Sequence, residues 1–367
     1  MKQKFSRLGV VLYCVLFFAA CLFFSLGLLL PGAADSTDGG VRPTLTEDGR
    51  IRDDFGDAFE RWFSKSFAFR GKTVDAFSTL KERALGTGNS QVVVGREDFL
   101  FFGETIDGYT GENRMTDDEI DAAAAALRTL QDYTEAHGAR FLFVAAPNKN
   151  TVYPEMMPDH IVRSDEATEL DRLTEKLAEN GTACLDLRGI LAAEKETALL
   201  YHKRDTHWNA YGAGVAYRAI MDALGLPHTA DPDEEGACRR DFRGDLDALL
   251  YPGTVRYDEN IDYGRADRYV FTSAHASDMD MVITTRSAGE NGRLLLFRDS
   301  FANALIDYAA SDFSEVRFER AIPFRAELLE TESFDYVIVE IAERNLRNLI
   351  GSAGQIGENA GKGTTDA

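Results

Sequence analysis

The chain reads as an α/β protein built on a mostly parallel sheet. Three observations predict this. Short apolar runs of strand type, at 141–146, 183–187, 293–297, 316–318 and 336–341, alternate with helical patterns. The helical patterns carry their own start and stop signals. Asn148, His207 and Ser300 also fall after predicted strands, at the end where open α/β sheets place their sites.

The elements follow in order. Lys2, Lys4 and Arg7 precede an uncharged run from Leu8 to Leu30. At about 1.5 Å per residue that run can cross a hydrocarbon core of about 30 Å. Cations on its N-terminal side predict a cytoplasmic tip and an anchor over 1–30, with the rest of the chain outside the cell membrane. A cleaved signal peptide is the rival, but its apolar region is shorter, about 7–15 residues. Residues 31–51, rich in Gly, Asp, Thr and Pro, predict a tether. The main domain then spans 52–350. It opens with a helical, aromatic stretch over 52–85, read as a collar, with a lipid-facing patch as the alternative.

Val92-Val93-Val94 and Phe99-Leu100-Phe101-Phe102 predict a short hairpin. Thr116 and Glu119 have capping-box spacing and open a helix to about His137. A second helix is expected over 165–179, and a short one over 190–197. Asn209 and Gly225 bracket a third, 210–224. Residues 228–290, with little periodicity and many charges, read as an insertion, with a lid as one reading of it. A helix is expected over 302–310. Residues 351–367, Gly- and Ala-rich, predict a disordered tail.

The formal charge is −21, and it becomes −24 once Lys2, Lys4 and Arg7 are set aside. Such a chain repels polyanions, which argues against nucleic acid as a partner. Cys14 and Cys21 lie in the apolar run. Cys184 and Cys238 make no disulfide framework: one bridge or two free thiols are both open.

Two segments carry the chemistry: Asp205-Thr206-His207-Trp208 and Asp299-Ser300-Phe301. A serine hydroxyl needs a base to take its proton, and the base needs an acid to orient it. Ser300, His207 and Asp205 supply those roles. The bland alternatives are that Ser300 caps its helix and that His207 is structural. His202, Asp205 and His207 could also be metal ligands, but no fourth ligand stands at a recognisable spacing, so neither metal nor cofactor is expected.

Asp205-Thr206-His207-Trp208-Asn209, Asp299-Ser300-Phe301, the run from Pro147 to Glu155 and the Val94–Phe101 hairpin together resemble the DHHW family. This family is related to the alginate O-acetylation proteins AlgJ and AlgX. The resemblance covers about Asp53 to Arg347. Thr206 stands where the family name has a second histidine, and Arg298 stands where typical SGNH proteins have a glycine before the aspartate. The resemblance implies an SGNH-hydrolase-like three-layer sandwich with a circularly permuted motif order. It implies a membrane-anchored acyltransferase moving acetyl to a cell-surface polysaccharide, with a membrane-bound O-acyltransferase as partner. Asn148, Lys149 and Tyr153 would position a sugar. Arg344 or Asn345 would aid the oxyanion hole or bind substrate, with surface helix residues as the alternative. The rival functions are an acetyl esterase using the same triad and a non-catalytic polysaccharide-binding scaffold.

Overall fold

The computed structural model describes residues 42–352 apart from 48–49, 67–69, 86 and 232–233, together with 11, 14–19 and 22. Most of the expected anchor, part of the tether, and residues 353–367 of the expected tail lie outside the described residues. Among the described residues, no helix is long and apolar enough to cross a membrane.

The chain divides into two compact units, residues 1–89 with 247–256 and residues 90–246 with 257–367. The first holds α1 (Phe55–Ser66) and α2 (Arg70–Leu85). The aromatics of α1 cluster with each other, Phe59 meeting Phe55, Trp62 and Phe63 at ring distances of 5.5–5.9 Å. Residues 253–254 are tied to α2 through the Asp75 carboxylate, which accepts from Gly253 N and Thr254 Oγ1.

The second unit carries the sheet. It begins with the antiparallel hairpin β1 (Val92–Val94) and β2 (Leu100–Phe102). Next come α3 (Asp117–Ala136), β3 (Arg140–Ala146), α4 (Glu169–Asn180), β4 (Cys184–Asp186), α5 (Arg188–Glu194) and α6 (Ala210–Leu224). A second hairpin, β5 (Ala237–Phe242) with β6 (Asp258–Asp262), precedes β7 (Tyr269–Phe271), β8 (Val282–Ser287) and β9 (Arg293–Phe297). The chain closes with α7 (Ile306–Asp312), β10 (Glu315–Glu319) and β11 (Tyr336–Ala342).

The sheet runs β4-β3-β11-β9-β10-β8-β7. The five strands from β4 to β10 are mutually parallel; β8 pairs antiparallel to β10 and β7 antiparallel to β8. The sheet is therefore mixed but mostly parallel, as expected, with four of its six pairings parallel. Both antiparallel strands come from 228–290, where three-residue β7 and the polar alternation of β8 left too short a pattern to read. β3, β9 and β11 are mostly apolar because both their faces are covered, whereas β10 alternates charged and apolar residues. Along β3, Phe141, Phe143 and Ala145 face one core with α3 and α4, while Leu142, Val144 and Ala146 face the other with α6 and α7.

The helix signals act as expected. Thr116 makes both bonds of a capping box on α3. Thr168 does the same for α4, which starts there rather than at 165. Asn209 accepts from Gly212 N to start α6, and Gly225 ends it with φ +66°. The segment expected as a helix over 302–310 is a 3-10 turn, Phe301–Leu305, leading into α7.

Candidate active site

Neighbouring strands bring the expected residues to one edge. β3, β11 and β9 lie side by side and parallel, so Asn148, Arg344 and Ser300, which follow them, emerge at the same end of the sheet. Asp205 and His207 arrive differently. They occupy a loop between α5 and α6, not a strand exit. A bridge between Tyr201 and Trp208 closes that loop, and Asn209 N donates to Leu200 O. Trp208, buried, donates its Nε1–H to Phe301 O at 2.9 Å and so ties the histidine loop to the serine turn.

Three side chains then line up. Ser300 Oγ lies 2.9 Å from His207 Nε2, and His207 Nδ1 lies 2.8 Å from Asp205 Oδ1. The carboxylate accepts at Nδ1, which fixes the proton there and leaves Nε2 as the acceptor for the serine hydroxyl. Asp205 also accepts from the backbone N–H of His207 and, through Oδ2, from that of Asp245. Burial pushes Asp205 up, but the bond and charge of His207 with these amides outweigh it and hold the carboxyl below its ordinary range.

The serine turn is anchored as firmly. Asp299 Oδ1 accepts from Phe301 N at 2.9 Å, and its Oδ2 accepts from Ala342 N at 2.8 Å and Asn345 Nδ2 at 2.7 Å. Ser300 has φ −74° and makes no capping bond to the turn that follows. Arg298 takes no positive φ, so the expected glycine position is filled without strain. Its guanidinium donates to the carbonyls of Asp278 and Asp280 and to Asn303 Oδ1 in the turn after Ser300.

The expected sugar-binding residues separate into two groups. Lys149 is 4% exposed and donates to the carbonyls of His202, Lys203 and Asp205 at 2.5–3.0 Å. It holds the histidine loop from behind. Tyr153 is buried, and its hydroxyl accepts from Leu200 N. Asn345 is committed to Asp299. These three are tied to the scaffold through Lys149 Nζ, Tyr153 Oη and Asn345 Nδ2. Asn148 and Arg344 differ: Asn148 Oδ1 and Arg344 Nη1 are buried without a hydrogen-bond partner. The Arg344 guanidinium lies 5.1 Å from the Phe301 ring centre and 5.6 Å from that of Phe102.

Several contributors escaped the sequence reading. Asp245 accepts from Thr206 N while donating its own N–H to Asp205, so the two acids clamp each other's loops. Burial, then the Asp205 charge, push Asp245 up. Glu340 lies under the serine turn and accepts from Asp299 N; burial and the Asp299 charge push it well up. Glu343 accepts from Asn148 N and Thr151 Oγ1. Glu340 had a signal, as a lone acid in an apolar strand; Asp245, in an aperiodic acidic stretch, had none.

Among the described residues, Asp205, His207 and Asp245 bring ligand-type atoms within 4.8 Å of one another. His207 Nδ1 is already engaged by Asp205. His202 joins no such group: its ring stacks on Phe242 at 3.8 Å. Cys184 and Cys238 are both free.

Residues 92–274 match the family described as SGNH hydrolase-like domain, acetyltransferase AlgX. That span includes Asp205 and His207 and stops short of Ser300. A probable alginate O-acetylase AlgJ of Pseudomonas syringae is 23% identical over 198 residues, covering 53% of this chain and 50% of that protein. The Pseudomonas aeruginosa AlgJ is 25% identical over 202 residues, covering 53% and 49%. The chain thus spans about half the length of these curated relatives. A solved structure of Bacillus cereus PatB1 with a sulfonyl adduct superposes with a TM-score of 0.53 at 17% identity, over 71% of this chain and 97% of that one. This likeness is one of fold. Residues 92–274 thus match an AlgX-type SGNH hydrolase-like domain, and the α/β fold with its mixed sheet is SGNH-hydrolase-like.

Proposed function

We propose that the chain is an extracytoplasmic O-acetyltransferase acting on a cell-surface polysaccharide through Ser300, His207 and Asp205. The unbroken line from Ser300 Oγ through His207 to Asp205, at 2.9 and 2.8 Å, carries this reading. His207 Nε2 takes the serine proton as Oγ attacks the acetyl carbonyl of a donor. The donor's ester bond breaks, and His207 returns the proton to the leaving group. A sugar hydroxyl then gives its proton to His207 and attacks the acetyl-serine, and Ser300 leaves reprotonated. Asp205 holds the imidazole and balances its transient charge. The AlgJ names support acetyl as the group and a polysaccharide as acceptor.

In this reading the apolar N-terminal segment is a single-pass anchor with the domain outside the cell. Acetyl made in the cytoplasm would then reach Ser300 through a membrane-bound acyltransferase partner. Turnover of an artificial acetyl ester by wild type and by Ser300→Ala tests the core of the proposal. A loss of at least about 10³-fold is expected, as for removal of a triad serine. An unchanged rate would leave the non-catalytic scaffold as the reading. Fast hydrolysis with no acetyl ever appearing on an oligosaccharide would leave the esterase.

A further inference from the structure

A cleft lies between the connection from β2 to α3, the loop after β3 and the turn after β11. Asn148 and Arg344 line it, and both also line a smaller hollow that reaches Thr206, next to His207. Asn148 is only 7% exposed, yet its Oδ1 has no partner; Arg344 Nη1 is buried and has none either. Buried polar atoms are costly to leave unpaired. One of these atoms is an acceptor and the other a donor. A hydroxyl can donate to the first and accept from the second, whereas a carboxylate satisfies only the arginine.

The charges around them narrow the ligand further. Among the described residues, the acids lining the cleft are Glu104, Asp107, Glu166, Glu169 and Glu343. Arg163, Arg344 and Arg347 oppose them; Arg347 is already paired with Glu119 and Glu166 with Arg114, which leaves four acids against two arginines. This excess of acid sits on a chain of net charge −21. A polymer with a carboxylate on every sugar meets repulsion there, screened only beyond about 8 Å at physiological salt. A cationic polymer meets Arg344 at the point of contact.

We propose that this cleft is the acceptor subsite and takes a neutral, hydroxyl-rich glycan, one of whose hydroxyls bridges Asn148 Oδ1 and Arg344 Nη1. The proposal rests on the catalytic reading of Ser300 and specifies the substrate class of that site. The test is calorimetric titration of the full-length Ser300→Ala protein with hexasaccharides of three kinds: a neutral glucan, a polyuronate and an amino-sugar oligomer. The glucan is expected to bind at least about tenfold more tightly than either other oligomer. Asn148→Ala should weaken glucan binding about tenfold or more. Glu104→Lys with Asp107→Lys, both exposed, should raise polyuronate affinity relative to that of the glucan. Tighter binding of the polyuronate or the amino-sugar oligomer overturns the proposal, and so does binding of none. Fluorophosphonate labelling of Ser300 and ester turnover by wild type report on catalysis separately. Turnover without glucan binding sinks the subsite and spares the triad; glucan binding without Ser300-dependent turnover does the reverse.

Discussion

Lys149 and Arg344 are two cations on the same small hollow, and they are built in opposite ways. Lys149 hands its protons to three carbonyls and fixes the loop that carries Asp205 and His207. Arg344 stacks on two phenylalanines and keeps a buried Nη1 unpaired. Burial with every donor used is the mark of a structural cation. Burial with a donor left over, at a site edge, is the mark of one waiting for a ligand. The contrast extends to their neighbours: Tyr153 Oη and Asn345 Nδ2 are bonded within the protein, and Asn148 Oδ1 is not.

The sharpest way to break this contrast is to remove each cation in turn. Lys149→Met strands several buried carbonyls and should cost about 3–5 kcal/mol, while Arg344→Met should cost under about 1 kcal/mol. Denaturant unfolding of the two variants measures this directly. Equal losses would mean that Arg344 is as structural as Lys149.

A pH series sharpens the same point. Burial lowers Lys149 from 10.5 to about 7. Between those values the unfolded chain binds the extra proton, so this residue's contribution to stability rises with pH across that window and is smallest below it. The stability gap between wild type and Lys149→Met should therefore widen from pH 7 to 9, by up to about 1.4 kcal/mol per pH unit. A flat gap would mean that the three carbonyls keep the ammonium charged.

His202 gives a weaker effect of the same kind. Burial lowers it from 6.5 to about 4. Stability is lost as pH falls from 6.5 towards 4, because the unfolded chain protonates first. His202→Phe keeps the stack on Phe242 and should abolish that acid-side loss; a variant as acid-sensitive as wild type would refute the assignment.

A further test of the contrast is Asn345→Ala. It removes one of the donors to Asp299, at a cost of about 1 kcal/mol. Its signature is lower ester turnover with unchanged glucan affinity. Weakened glucan binding would restore Asn345 to the ligand surface.

Much of this was legible in the chain, for local reasons. Capping residues act on amides three positions away, so Thr116, Asn209 and Gly225 announce their helices without help from the fold. Strands buried on both faces are mostly apolar, so β3, β9 and β11 stand out. β7 did not, being three residues long at the sheet edge, and β8 did not because its apolar residues alternate with polar ones. Asp205 and His207 sit two residues apart, and the sequence alone makes their contact plausible.

What the sequence could not determine is which polar groups would be used up. Whether Lys149 meets carbonyls or solvent depends on where the loop carrying 202–205 comes to rest, some 53 residues further along the chain. Whether Asn148 and Arg344 share a cleft depends on β3 and β11 being neighbours, and the 93 residues between His207 and Ser300 are bridged only by the fold. Residue type sets what a side chain can bond to, and the sequence determines that completely. Partner, burial and spare valence are properties of the packed chain, and only the tertiary structure decided them.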